Sequence, residues 1–269
     1  MRRINSRDNA RYKALRQLAE SSRERKKAGL SLLDGPHLVG AYRDNVGLPE
    51  QLVLSASSLE KPEIRAIIES LGGSEVVLLS DALFNDISPV VSPTGIVAVV
   101  RTPQPRALPA RLEACIMLED VRDPGNLGTI LRTAAAAGMK QVFLSANSVH
   151  AWSPRVLRAG MGAHFMLQVY EQVDLAAVIG AFPGTVVAAS SAASRSLFDT
   201  DLSGPVALLF GNEGGGLSAA LREKARVEIA IPMPGGTESL NLAAAVAVCL
   251  YERVRQIAVK RRGSGAQLQ

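Results

Sequence analysis

The second half of the chain carries six strand-length apolar runs that scarcely alternate: residues 115–118, 141–145, 165–169, 185–189, 206–210 and 227–231. A strand with one wet face alternates polar and apolar residues. Continuous apolar runs suit a parallel sheet covered by helices on both faces. Helix-like segments separate the runs. One spans 126–137 and is closed by Gly138, another opens at Ser153-Pro154, and the last covers about 240–259. The stretch 242–250 is small and apolar throughout, which suits close packing. The pattern predicts an α/β fold whose C-terminal part holds a parallel sheet.

A smaller α/β domain is expected over residues 1–102. It reads as a basic helix over 7–28, strands at 30–33, 51–54, 75–79 and 96–100, and helices at 37–43 and 62–70. Three prolines, Pro103, Pro105 and Pro109, then mark a semi-rigid connector over 103–110. The second domain covers 111–262, and 263–269 reads as a flexible tail.

Net charge is +5, and it is concentrated at the start. Arg2, Arg3, Arg7, Arg11, Lys13, Arg16, Arg23, Arg25, Lys26 and Lys27 face only Asp8, Glu20 and Glu24 within the first 27 residues. Such a cluster attracts polyanions, RNA above all, or is a solvated helix that binds nothing. Aromatic residues make up 4% of the chain, too few for base stacking to be the main grip on a nucleic acid. Cys115 and Cys249 lie in apolar runs and read as buried thiols of a reducing compartment. Neither they nor the three histidines show metal-ligand spacing, so no metal is expected. No run reaches the ~18 apolar residues of a membrane span, and the N-terminus has no secretory apolar core. A cytoplasmic protein without membrane contact is expected.

Three polar, glycine-rich islands sit where strand-like runs meet helix-like ones. The first is Asp123-Pro-Gly-Asn126-Leu-Gly128-Thr-Ile-Leu-Arg132. Its Asn126 can cap a helix. Its Arg132 is either a surface ion-pair partner or a planar fork for a phosphate or ribose. The second is Phe210-Gly-Asn212-Glu213-Gly-Gly-Gly216-Leu-Ser218. It lacks the lysine of a nucleotide-triphosphate loop and does not form a dinucleotide fingerprint, so a plain strand-to-helix turn stays open. The third is Ile231-Pro-Met233-Pro-Gly-Gly-Thr-Glu238-Ser239-Leu-Asn241-Leu. There Ser239 or Asn241 can cap the last helix, and Glu238 suits its dipole.

Together and in this order, the islands resemble the three signature motifs of the SpoU/TrmH-type RNA ribose 2′-O-methyltransferases. The likeness runs from about residue 114 to 254. It departs at Leu242-Ala243, where Val-Ser is common, and at Met161-Gly162, where a smaller residue precedes the glycine. Residues 30–100, with Ser92-Pro-Thr-Gly95-Ile, resemble the family's N-terminal substrate-binding domain, which is similar to ribosomal L30e proteins. The resemblance implies a deep trefoil knot in the C-terminal domain and a homodimer with the active site at the subunit interface. It implies S-adenosyl-L-methionine as cofactor, held near Ser190, Leu209, Phe210, Gly211, Ile231, Pro232, Met233, Ser239 and Leu240. Asn126, Arg132, Glu213, Ser239 and Asn241 match the family's catalytic and RNA-site residues. A free guanidinium stays charged to above pH ~12, so the role expected of Arg132 is to bind phosphate and stabilise the developing alkoxide.

The activity implied is methyl transfer to a ribose 2′-hydroxyl, most readily of ribosomal RNA. The alternatives are the same chemistry on tRNA, or a non-catalytic RNA-binding ribosome assembly factor. A Rossmann-type oxidoreductase is disfavoured, because residues 30–60 hold no glycine fingerprint.

Overall fold

Residues 1–88, 90, 92–103 and 107–263 are described by a computed structural model. Residues 104–106 of the expected connector and 264–269 of the expected tail lie outside it. The described chain divides into two units. One comprises Met1–Pro103 together with Trp152–Phe165, and the other comprises the remainder.

The first unit runs β1 (Arg2–Ile4), α1 (Ala10–Glu20), α2 (Ser22–Ala28), β2 (Leu30–Asp34), α3 (Pro36–Asn45), β3 (Gln51–Ser55), α4 (Pro62–Ser70), β4 (Glu75–Leu79), α5 (Asp81–Ile87) and β5 (Ile96–Arg101). The sheet order is β1-β4-β3-β5-β2, with β1, β4 and β3 parallel and β5 antiparallel to both neighbours.

The helix expected over 7–28 is two helices. Ser21 sits in extended conformation between them, and its hydroxyl accepts from the Glu24 N–H at the start of α2. Ser21 and Glu24 have the spacing of a capping box, which favours a new start over continuation. Arg25 then folds back, and its Nη1 donates to the Leu18 and Ala19 carbonyls at the end of α1. Nor is the basic segment a loose arm. Tyr12 and Leu15 of α1 are buried with Leu83, Phe84 and Ile87 of α5 and with Ile4 of β1. Both β1 and α5 are absent from the sequence-based expectation.

In the second half, β6 (Cys115–Leu118), α6 (Pro124–Ala136), β7 (Gln141–Leu144), α7 (Pro154–Gly160), β8 (Gln168–Tyr170), α8 (Leu175–Ala181), β9 (Thr185–Ala189), β10 (Val206–Phe210), α9 (Ala219–Arg222), β11 (Val227–Ile229) and α10 (Leu242–Gly263) follow. Of these, α7 belongs to the first unit, where it lies along β2. The others make a six-stranded, all-parallel sheet in the order β11-β9-β10-β6-β7-β8. Every residue of β6, β7 and β10 is buried, as continuous apolar runs require. Cys115, Met117, Ala207 and Leu209 face a cluster with Leu175, Val178 and Ile179 of α8. Their strand neighbours Ile116, Leu118, Leu208 and Phe210 are equally buried on the opposite face. Burial pushes the Cys115 and Cys249 thiols up to about 12, so both stay protonated at neutral pH.

The strand expected over 165–169 begins three residues late. Ala163–Met166 form a 3-10 turn, because Phe165 stays in an aromatic cluster with Tyr42 and Trp152 in the first unit. Pairing with β7 starts only at Gln168. Among the described residues, no helix is long and apolar enough to cross a membrane. No cluster of three metal-ligating side chains occurs among them either.

Candidate active site

The chain moves from one side of the parallel sheet to the other between β8 and β9, and β10 returns beside β6. Ligands in open parallel sheets gather at the carboxyl ends of strands near such a reversal. All three sequence islands lie there.

The first island enters α6 through Asp123, whose carboxylate accepts from the Asn126 N–H at 2.7 Å, with Pro124 in the first turn. Asp123 is therefore the cap in place of Asn126, which frees the Asn126 side chain for other partners.

The second island leaves β10 as a closed ring. Asn212 and Gly216 exchange backbone hydrogen bonds at 3.0 and 2.9 Å. The Asn212 Oδ1 accepts from the Gly214 and Gly215 N–H groups, and its Nδ2 donates to the Asp120 carbonyl. A Cβ on Gly211 would stand 2.0 Å from the Gly216 carbonyl carbon and 2.2 Å from the Leu217 nitrogen. Only glycine fits that close approach.

The third island ends at Asn241. Its Oδ1 accepts from the Ala243 and Ala244 N–H groups, capping α10.

These ends are wired together. Because the Asn241 oxygen faces the helix, its Nδ2 donates to the Asn126 Oδ1 at 2.9 Å. That turns the Asn126 Nδ2 toward the Glu213 Oε1, at 3.1 Å. The Glu213 carboxylate also accepts from the Arg122 and Asp123 N–H groups. The hydrogen bonding of the network thus assigns both amide orientations. Burial alone would raise the Glu213 carboxyl. The bonds from its own backbone, Asn126, Asp123 and Arg122 outweigh burial and hold it below its ordinary value of 4.5. A carboxylate so committed holds the islands in register and is a poor proton acceptor.

A group lowered in the folded state adds stability above its unfolded value and loses it as pH falls through the folded one. Urea midpoints of the wild type and Glu213→Gln should therefore differ most at neutral pH and converge as pH falls below 4.5 and through the folded value. A gap that is unchanged at acid pH contradicts an ionised Glu213.

A cavity of about 400 Å³ opens beside this network. Its walls come from the ends of β9, β10 and β11 and from the approach to α10. Ser190, Phe210, Gly211, Ile231, Met233, Ser239 and Leu240 line it, as does Glu213. Leu209 is fully buried one position inside β10, and Pro232 is exposed beyond β11; neither lines the cavity. Asn126 and Asn241 lie outside its wall but are joined to it through Glu213. Arg132 is exposed on α6 and makes no hydrogen bond or ion pair within the described chain. Residues that the motif reading leaves without a role also hold the site. Asp123 and Asn212 shape two of the turns. Glu119 accepts from the Ser218 N–H at 2.7 Å and fixes the far end of the glycine ring. The spacing of Ser218 before a short helix was the available signal for that anchor.

The fold has known counterparts. The model of the SpoU rRNA methylase family matches residues 113–251, and that of the MRM3-like substrate binding domain matches residues 9–98. An uncharacterized tRNA/rRNA methyltransferase of Synechocystis sp. is 35% identical, over 94% of this chain and 93% of its own length. The 23S rRNA (guanosine(2553)-2′-O)-methyltransferase RlmP of Bacillus subtilis is 31% identical, over 93% of this chain and 98% of its own. The crystal structure of an AdoMet-bound rRNA methyltransferase from Sinorhizobium meliloti superposes with a TM-score of 0.81 at 29% identity, covering 95% of this chain and 98% of that one.

Proposed function

The chain belongs to the SpoU rRNA methylase family, and on that premise we propose that it transfers a methyl group from S-adenosylmethionine to a ribose 2′-hydroxyl of ribosomal RNA. One observation carries the reading. The side chains of Asn126, Glu213 and Asn241, far apart in sequence, form one hydrogen-bonded chain at the rim of a ligand-sized cavity.

The cavity suits the donor. Phe210, Ile231 and Leu242 offer apolar walls for a purine, and the glycine ring offers exposed backbone. When bound, S-adenosylmethionine supplies an electrophilic methyl group on a sulfonium. The rest of the work falls to the chain. Arg132, without a partner in the described chain, presents its fork to the phosphate beside the target ribose and stabilises the developing alkoxide while the hydroxyl proton passes to solvent water. Asn126 has a second amide N–H beyond the one given to Glu213, and we assign it to the ribose. Ser239 at the cavity wall orients the same sugar. Positioning of this kind is worth on the order of 7–11 kcal/mol of barrier. DNA, without the 2′-hydroxyl, is not a substrate. The homodimer and the knot belong to the same reading, with the chemistry assigned to residues 111–262 and RNA affinity to 1–102. Calorimetry with S-adenosylmethionine tests it: saturable heat with one site per chain is expected, and no heat points to a binding module without chemistry.

RNA affinity is assigned to the unpaired part of the basic segment. Arg7, Arg11, Lys13 and Arg16 are held by Asp86, Glu75, Asp8 and Glu20. Arg23, Lys26 and Lys27 are exposed on α2 with no acidic partner within the described chain. Deleting residues 1–27 would remove β1 and part of the core, so it cannot report on charge alone. Replacing the three exposed bases of α2 by glutamine should instead lower the slope of log affinity against log salt by about 2–3. An unchanged slope would mark α2 as a solvated helix.

A further inference from the structure

The cavity is lined by three charged side chains, Glu213, Arg222 and Glu238. Glu213 is consumed by the network that joins the motifs. Arg222 and Glu238 are not. Glu238 makes no hydrogen bond or ion pair within the described chain. Within the described chain the Arg222 guanidinium meets only Glu228, at 4.0 Å, with both side chains more than a third exposed. A pair so long and so wet holds a side chain weakly.

The backbone beneath Arg222 is firm. Its N–H donates to the Ser218 carbonyl, and the Ser218 N–H is fixed by Glu119. Leu221 beside it is buried in the core cluster under the sheet. A rigidly mounted guanidinium with a loosely held head, facing a cavity whose other free charge is one carboxylate, complements a zwitterion. The planar fork of arginine matches a carboxylate in two parallel hydrogen bonds, which a lysine cannot reproduce.

We propose that Arg222 binds the α-carboxylate of the methyl donor's amino-acid end, with Glu238 left to face its ammonium. The proposal rests on the S-adenosylmethionine reading above and adds the group that distinguishes the whole donor from its nucleoside half. It predicts that affinity gained from the amino-acid end passes through Arg222, while the purine and sugar bind independently of it.

The test is calorimetry on the purified full-length chain with two probes. S-Adenosylhomocysteine carries the carboxylate, and 5′-methylthioadenosine lacks the whole amino-acid end. In Arg222→Met, S-adenosylhomocysteine should bind about tenfold more weakly, while 5′-methylthioadenosine is unaffected. Retained nucleoside binding in the same variant shows that the cavity is intact. Arg222→Lys should fall between the two. Unchanged S-adenosylhomocysteine affinity in Arg222→Met overturns the proposal and leaves the guanidinium to an RNA phosphate. Equal loss of both probes also overturns it, since the residue would then shape the cavity instead of reading a charge. A wild-type chain that binds neither probe refutes the donor reading itself, and this assignment with it.

Discussion

Arg132→Ala should retain S-adenosylhomocysteine affinity and lose methyl transfer to ribosomal RNA by about 10²–10³-fold. The expectation comes from where the residue stands. Arg132 lies on α6, six positions after Asn126, and lines no part of the donor cavity. It is exposed and has no ion-pair or hydrogen-bond partner in the described chain, so removing it leaves no orphaned group behind. Its loss should therefore cost little stability. What disappears is the fork of donors proposed above to hold the phosphate beside the target sugar. The substitution should reduce kcat more than donor binding, because the interaction it removes strengthens as charge builds on the attacking oxygen. Lysine at this position would keep the charge without the bidentate geometry and should recover only part of the rate. Single-turnover transfer measured beside calorimetry separates the two quantities. Transfer at near wild-type rate would remove Arg132 from the mechanism. A matching loss of donor affinity would move it to the cavity.

Gly211→Ala should destabilise the second unit by about 3 kcal/mol and abolish donor binding. The added Cβ would lie 2.0–2.2 Å from three backbone atoms of Gly216 and Leu217. A flexible side chain can step aside from such a contact, but backbone closed by the paired hydrogen bonds between Asn212 and Gly216 cannot. Relief would require opening the ring. That would carry Glu213 away from Asn126 and uncouple the islands. Gly215→Ala is the matched control, since a Cβ there meets nothing within 4 Å. It should leave the unfolding free energy from urea titration within about 0.5 kcal/mol of wild type. If the two substitutions behave alike, the close approach at Gly211 is not what holds the loop.

The strands of the second unit were legible because burial on both faces leaves so little choice of residue. Cys115-Ile-Met-Leu and Val206-Ala-Leu-Leu-Phe contain no polar position at which another reading could start. The edges were harder. β1 is Arg2-Arg3-Ile4, with only the isoleucine buried, and it pairs on one side alone. Three residues of that composition carry no strand signal. The break at Ser21 was written in the chain as Ser21 and Glu24, but helix-forming residues on both sides mask it. Asp123 displaced Asn126 as a cap for a local reason. Both can cap, but Pro124 favours the first helical position, which puts the cap at Asp123, three residues before Asn126.

The site divides in the same way. That polar, glycine-rich turns would stand where strands run into helices was readable from spacing and composition. That Asn126 would touch Glu213 and Asn241 was not, since 87 and 115 residues separate the partners. No periodicity reaches across such distances, and only the resemblance to a family brought those residues together. Arg222 lay outside the three motifs, and only its mounting against the cavity draws attention to it.

Every role proposed for the site requires that the chain methylate a ribose oxygen of ribosomal RNA. The direct measurement is to incubate the purified protein with labelled S-adenosylmethionine and ribosomal RNA from cells lacking it, and then to identify the labelled nucleoside after digestion. Label is expected at one position, as a 2′-O-methyl nucleoside that resists alkaline cleavage on its 3′ side. Label found on a base, or none on any strand, would contradict it.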